Sequence, residues 1–335
     1  MKFLKYLGIL LLILILAYLA ACYFGPKNMN VEESQTLEVS APYIFNLINN
    51  IEKWEEWNDW NLKDTGMVVT YTDKKEGVGA KSTWTQSSYG NGSQEIVESV
   101  ENERLKTKLN FQGWEGDNFG IFNLAANGNN TNVTWTFDGT PIPFLMRGMM
   151  LSGKSSMKES YQQGLNNLEK LAKERAKGTY NGYQINEKNL KKKNFVMNRQ
   201  EVKTANIQQF YATNLGQLFG KVQAAGVEID GMPCGLFFRM DERDGMIDMA
   251  AAIPVKQAVS LPATNSYSIN SRRSLQVDYR GSYHGVTEAH KAMGEYMKDR
   301  SLFQDDPIIE EYVTDPGTEP DPSKWLTRVT YYFSE

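Results

Sequence analysis

Asp278-Tyr279-Arg280-Gly281-Ser282-Tyr283-His284-Gly285 leads, through an amphipathic stretch, to Pro307-Ile308-Ile309-Glu310-Glu311-Tyr312-Val313-Thr314-Asp315-Pro316 and then Trp325-Leu326-Thr327-Arg328-Val329. Residues 274–280 read as a strand. Residues 285–299 read as a helix with Val286, Ala289, His290, Met293 and Tyr296/Met297 on one side. A strand at 307–314, a loop at 315–323 and a last strand at 325–333 follow. The same order stands upstream: a strand at 195–201, a helix at 206–225 stopped by Gly226, a strand at 232–240, a turn at 241–245 and a strand at 246–255. Residues 263–269 extend that sheet. Two strand–helix–strand–strand halves of similar length suggest an internal duplication, although few identities link them.

The strand at 307–314 carries the candidate chemistry. By period two, Ile308, Glu310 and Tyr312 share one face, and Ile309, Glu311 and Val313 share the other. Each face holds a carboxylate, so periodicity alone does not choose between Glu310 and Glu311.

These motifs together resemble the gyrase-inhibitor-like domain, also known as the bacterial transcription-activator effector-binding domain. The resemblance covers about residues 193–335. It implies two related halves around a central groove that holds small, often aromatic or cationic molecules. It also implies a glutamate in the groove: the family's Glu-x-Tyr pattern before an Asp-Pro step falls on Glu310 and Tyr312. A carboxylate buried beside rings needs a partner or a raised pKa. A bound cation supplies that partner, with Tyr279, Tyr283, Tyr312 or Trp325 adding cation–π attraction. The alternative is a Glu310 paired with Arg280 or Arg328, or left in water, with the rings serving packing. His290 follows the apolar side of its helix and reads as a packed residue; His284 lies in the turn before it.

The first half of the chain reads differently. A short strand at 36–39 precedes Ser40-Ala41-Pro42, an N-cap followed by an early helical proline. Ile44, Phe45, Leu47 and Ile48 give that helix an apolar side. Trp54, Trp57 and Trp60 follow at a spacing of three, suited to plugging one end of a core. Strands are expected at 67–71, 80–86, 94–100, 104–111, 118–125 and 131–139, separated by Gly- and Asn-rich turns. A long helix at 155–177 carries the stripe Met157, Tyr161, Leu165, Leu168 and Leu171. This order, with the run 39–48 followed by Trp54-Glu55-Glu56-Trp57, resembles the START-like or polyketide-cyclase-like superfamily over about residues 34–176. The resemblance implies a helix-grip fold, a curved sheet around a long helix and an apolar cavity. The apolar segment 141–150 would then cover the cavity mouth or pack against the core.

Residues 6–24 carry no formal charge, and as a helix they extend about 28 Å, near the thickness of a hydrocarbon core. Lys2, Lys5 and the terminal amine precede them, against Lys27 after, a bias that places the remainder outside. Leu19-Ala20-Ala21-Cys22 is also similar to a lipobox, which makes a lipoprotein through Cys22 the alternative to a membrane anchor. The expected organisation is α+β: an N-terminal transmembrane helix (1–27), a helix-grip START-like domain (31–177), a lysine-rich linker (178–193) and a duplicated effector-binding domain (194–335).

Composition narrows the functions. At 41% hydrophobic and 12% aromatic, the 335 residues are too apolar for a disordered chain. A net charge of -4 gives no footprint for nucleic acid. Two cysteines and two histidines supply neither a disulfide scaffold nor a histidine-rich metal centre. No phosphate loop, nucleophile elbow, zinc motif or dinucleotide fingerprint is present, so no cofactor, metal or catalytic residue is assigned. The expectation is a membrane-tethered binding protein, with a hydrophobic ligand in the first domain and a cationic or aromatic one at Glu310, Tyr312, Tyr279, Tyr283 and Trp325 in the second. A hydrolase of a reactive small molecule using Glu310 and nearby tyrosines is one alternative. A non-catalytic interaction or envelope module is the other.

Overall fold

The computed structural model describes residues 2–241, 245–314, 317 and 319–334. The chain forms two compact units, Met1–Ala176 and Lys177–Glu335. It opens with α1 (Lys2–Phe24). The stretch Phe3–Phe24 has a mean hydropathy of 2.7 and is, among the described residues, the one helix long and apolar enough to cross a membrane. An N-terminal signal sequence shares that character.

The rest of the first unit is β1 (Asn30–Leu37), α2 (Ala41–Asn49), α3 (Trp54–Trp57), α4 (Asp59–Lys63), β2 (Val68–Tyr71), β3 (Lys81–Thr85), β4 (Gly92–Val100), β5 (Arg104–Phe111), β6 (Trp114–Asn127), β7 (Asn130–Asp138) and α5 (Gly153–Ala176). The strands form one antiparallel sheet in the order β1-β7-β6-β5-β4-β3-β2. In β7, Thr131, Val133, Trp135 and Phe137 are buried while the residues between them face outward, the pattern of a sheet with one covered face. α5 packs on β1 and on α2. Its buried stripe is Tyr161, Leu165, Leu168 and Ala172, with Leu171 only partly buried.

Rings fill this core. Trp135 stacks on Tyr161 at 3.8 Å and on Phe122 at 4.7 Å, and Trp57 meets Trp135 edge-on at 5.6 Å. Gly164 of α5 makes the approach possible, since a Cβ there would lie 2.9 Å from the Trp135 ring. Trp54 and Trp57 are buried and Trp60 half-buried, so the spacing of three does plug the core. Two local expectations change. Ser40 occupies the N-cap position of α2 without a side-chain capping bond. β1 is longer than 36–39, because pairing to β7 from Asn30↔Asp138 to Leu37↔Thr131 organises a polar sequence that shows no strand pattern of its own.

The second unit contains β8 (Thr179–Tyr180), β9 (Tyr183–Gln184), β10 (Asn186–Leu190), β11 (Lys193–Lys203), α6 (Ile207–Ala224), β12 (Cys234–Asp241), β13 (Met246–Val255), β14 (Asn265–Ile269), β15 (Arg272–Arg280), α7 (Thr287–Asp299), β16 (Phe303–Tyr312) and β17 (Leu326–Ser334). The sheet order is β10-β15-β17-β16-β12-β13-β11-β14, and one arrangement occurs in it twice. In β11-α6-β12-β13 and in β15-α7-β16-β17 alike, the third strand lies between the first and the second. The halves meet where β12 pairs antiparallel with β16, Gly235 opposite Glu310. α6 packs on β11 and β13, and α7 on β15 and β17, leaving β12 and β16 central.

The stretch expected as a linker is built into this unit. Asn181 and Gly182, both with positive φ, make the tight turn of the β8–β9 hairpin. The Tyr180 hydroxyl donates to Asp299 Oδ2 at 2.8 Å, and β10 pairs along β15. The turn at 241–245 falls partly, and the Asp315-Pro316 step wholly, outside the described residues.

Candidate functional site

β16 distributes its side chains as period two requires. Ile308 packs in the core beneath α6 and α7, and Ile309 in a smaller core on the opposite face. Glu310 therefore points toward the helices and Glu311 away from them.

Glu310 is only 8% exposed. Its Oε1 lies 2.8 Å from His290 Nε2, and the Tyr312 hydroxyl donates to its Oε2 at 3.3 Å. His290 Nδ1 lies 2.9 Å from the Tyr331 hydroxyl. A carboxylate accepts, so Nε2–H donates to Glu310, while the Tyr331 hydroxyl can either donate to Nδ1 or accept from it. Burial, and secondly the charge of Glu310, raise the Tyr331 pKa and keep that hydroxyl protonated.

Rings continue outward from the carboxylate. Tyr211 of α6 lies 5.4 Å from the Tyr312 ring, Tyr283 5.2 Å from Tyr312, and Trp325 4.9 Å from Tyr283. Trp325 is held by its indole N–H, which donates to the Glu319 carbonyl at 2.8 Å. The Tyr211 hydroxyl is buried over Gly235, where a Cβ would come within 2.0 Å of it, and it makes no hydrogen bond of good geometry among the described residues. Burial raises the Tyr211 pKa well above the ordinary tyrosine value, with the Glu310 charge adding to it. Burial does the same for Tyr312, with Tyr211 and Glu310 contributing.

Four of the five expected site residues thus gather: Glu310, Tyr312, Tyr283 and Trp325. Tyr279 stands apart, with its hydroxyl on the Ser282 carbonyl at 2.9 Å and its ring 6.3 Å from Tyr183. The alternative of an arginine partner for Glu310 finds none among the described residues: Arg328 takes Asp278 through two hydrogen bonds of 2.8 and 3.1 Å. His290 is more than packing, since it holds Glu310. The signal for it was in the sequence, as an imidazole on an apolar helix face requires a polar partner. Tyr211 and Tyr331 were also overlooked; Tyr211 sits four residues after Ile207 and four before Leu215 on the inward stripe of α6. His284 is exposed.

On the other face, Lys193 Nζ lies 2.5 Å from Glu311 Oε1, beside a cleft of about 140 Å³ whose lining includes Lys191, Gln276, Thr330 and Tyr332. Among the described residues no three His, Cys, Asp or Glu side chains converge to hold a metal ion.

Residues 183–331 match the family model of the GyrI-like small molecule binding domain. The chain is also similar to solved structures. One is protein CV1439 from Chromobacterium violaceum, 18% identical, covering 43% of this chain and 96% of that one, with a TM-score of 0.34. Another is the C-terminal domain of EcmrR, 16% identical, covering 46% and 98%, with a TM-score of 0.40. A third is EcmrR in a DNA complex, 14% identical, covering 57% and 72%, with a TM-score of 0.42. No curated protein matches.

Proposed function

We propose that this chain is a membrane-tethered binding protein whose second unit takes a small cationic, aromatic molecule at Glu310. The observation that carries the reading is the buried carboxylate whose partners are an imidazole and a phenol, next to the rings of Tyr211, Tyr312, Tyr283 and Trp325. A buried carboxylate among rings favours a cation, and the ring faces add to the attraction. The match of residues 183–331 to a small molecule binding family agrees with this reading. Isothermal titration of the full-length protein with planar aromatic cations and their neutral isosteres tests it. Cations should bind more tightly than isosteres, and Glu310→Gln should remove the preference. Equal binding of both classes by both proteins would overturn the assignment.

A hydrolytic role rests on the same groups. The chain Tyr331–His290–Glu310 is a hydrogen-bonded relay able to take a proton from water. A hydrolase would lose turnover in Glu310→Gln with substrate affinity kept, whereas a binding protein loses affinity and has no turnover to lose.

Tethering is assigned to α1, with the soluble part extracytoplasmic. The Cys22 thiol is buried against residues 145–148, which supports a packing role over lipidation at Cys22. An apolar ligand within the first unit draws less support, because stacked rings occupy the core that the helix-grip resemblance implied would be hollow. We assign no nucleic-acid contact, on the ground of the net charge of -4.

A further inference from the structure

Residues 144–151, Phe-Leu-Met-Arg-Gly-Met-Met-Leu, expose Phe144 (43%), Leu145 (62%), Met149 (64%) and Leu151 (58%). Outside α1 this is the densest run of exposed large apolar side chains among the described residues. The segment is two-faced, since Met146 and Met150 pack against the core of the first unit. A concentrated apolar face of this kind marks a contact surface rather than ordinary scatter.

Its position identifies the contact. The Leu145 carbonyl accepts from the Tyr18 hydroxyl at 2.6 Å and from the Cys22 thiol at 3.6 Å. Gly148 lies against the same two side chains, where a Cβ would be 3.0 Å from each. Gly25 is closer still to the Arg147 carbonyl, and the Ile142 amide donates to the Lys27 carbonyl at 2.8 Å. The segment is therefore fastened to the C-terminal end of α1. At a helical rise of 1.5 Å per residue, Cys22 lies about 3 Å and Tyr18 about 9 Å before Phe24, where the apolar stretch ends.

From these contacts we infer that residues 144–151 form a second membrane-contacting element, embedded at the headgroup–acyl boundary of the bilayer that α1 enters. The inference rests on the reading of α1 as an anchor. If α1 spans, Leu145 is held at the depth of the last turn and a half of the span, and its exposed neighbours meet lipid instead of water. The backbone suits that setting in part, because the segment satisfies several of its own amides: Met146 donates to Pro143, Arg147 to Phe144, Met149 and Met150 to Met146, and Gly153 to Met150. Arg147 is tied back by its Nε to the Ile142 carbonyl at 3.0 Å, with its guanidinium 5.8 Å from the Phe144 ring. That places a cation at the level of lipid phosphates while the apolar side chains go deeper.

The test uses the full-length chain carrying Cys22→Ala and Cys234→Ala, reconstituted in vesicles of phosphatidylcholine and phosphatidylglycerol. A nitroxide is placed in turn at Leu145→Cys, Met149→Cys, Ile13→Cys and Tyr89→Cys, the last two being references for lipid and water. Positions 145 and 149 should be several-fold less accessible than 89 to a water-soluble paramagnetic relaxant. They should also be more accessible than 89 to oxygen and lie shallower than 13. Relaxation at 145 and 149 like that at 89, with 13 in lipid, overturns this inference and leaves the anchor standing. Protection from both relaxants would mean that protein covers the patch, and also overturns it. A label at 13 exposed to water removes the anchor and this inference together.

Discussion

Each unit buries a cluster of rings against an antiparallel sheet, yet the two clusters are chemically unlike. In the first unit rings touch rings: Trp135 lies between Tyr161 and Phe122 at stacking distance, with Trp57 against its edge. In the second, the rings radiate from a carboxylate that an imidazole and a phenol hold in place. Rings alone are explained by packing, because they bury large apolar areas in a sheet's covered face. A charge among rings opposes burial and calls for a partner. The lesson is that aromatic abundance says little about a site. The one carboxylate that sheet geometry turns inward says much more.

The sharpest challenge to this contrast is Trp135→Ala. It should destabilise the first unit by about 3–5 kcal/mol, as large-to-small changes at aromatic core positions do. Hydrogen exchange read by mass spectrometry should show amides of the first unit losing protection while ligand affinity in the second stays unchanged. A parallel loss of affinity would mean that the two clusters are not the separate entities described above. Next in size is His290→Ala, which removes one of the two partners of Glu310 and should lower the stability of the second unit by about 1–3 kcal/mol. Bound cation should restore much of that protection, since it replaces the missing partner; absence of such rescue would argue that Glu310 does not face ligand.

A smaller effect is expected for Gly235→Ala. The added methyl would collide with the Tyr211 hydroxyl and turn that ring away, at a cost of about 1–2 kcal/mol typical of overpacking. Affinity for aromatic cations should fall a few-fold; unchanged affinity would remove Tyr211 from the site. The smallest concerns Asp248, paired with Arg199 through hydrogen bonds of 2.8 and 2.6 Å. The hydrogen-bonded guanidinium lowers the Asp248 pKa, so the pair stabilises the fold above the ordinary carboxylate pKa and loses that contribution as pH falls through the lowered value. Because the pair is partly exposed, Asp248→Asn should cost only about 0.5 kcal/mol at neutral pH. The difference between variant and parent should vanish in acid; a constant difference would show that charge is not its origin.

Element order was readable wherever burial imposed a period. The alternation of Val133, Trp135 and Phe137 marked β7, and the helix period placed His290 on the inward side of α7. Where burial is absent the sequence is silent. β10, Asn-Glu-Lys-Asn-Leu, is a polar edge strand organised by backbone pairing to β15, and so it read as a joint. The choice between Glu310 and Glu311 also lay beyond periodicity, because an alternating pattern names two faces without saying which one the helices cover.

The sequence by itself determined the apolar N-terminal helix, the order of the strands and helices whose burial leaves a period, the repeated order within the second unit, and a short set of residues that included Glu310. The elements follow from spacing along the chain, which local backbone geometry converts directly into faces; the residue set, Glu310 included, is what the family resemblance implied. Only the tertiary structure decided that His290, twenty residues before Glu310, would be its partner, that Tyr211 would lie over Gly235 and beside Tyr312 of the other half, and that Arg328 would go to Asp278 instead. Each of these depends on how α6 and α7 lie across the sheet. That placement is set by packing among residues far apart in the chain, where no sequence period reaches.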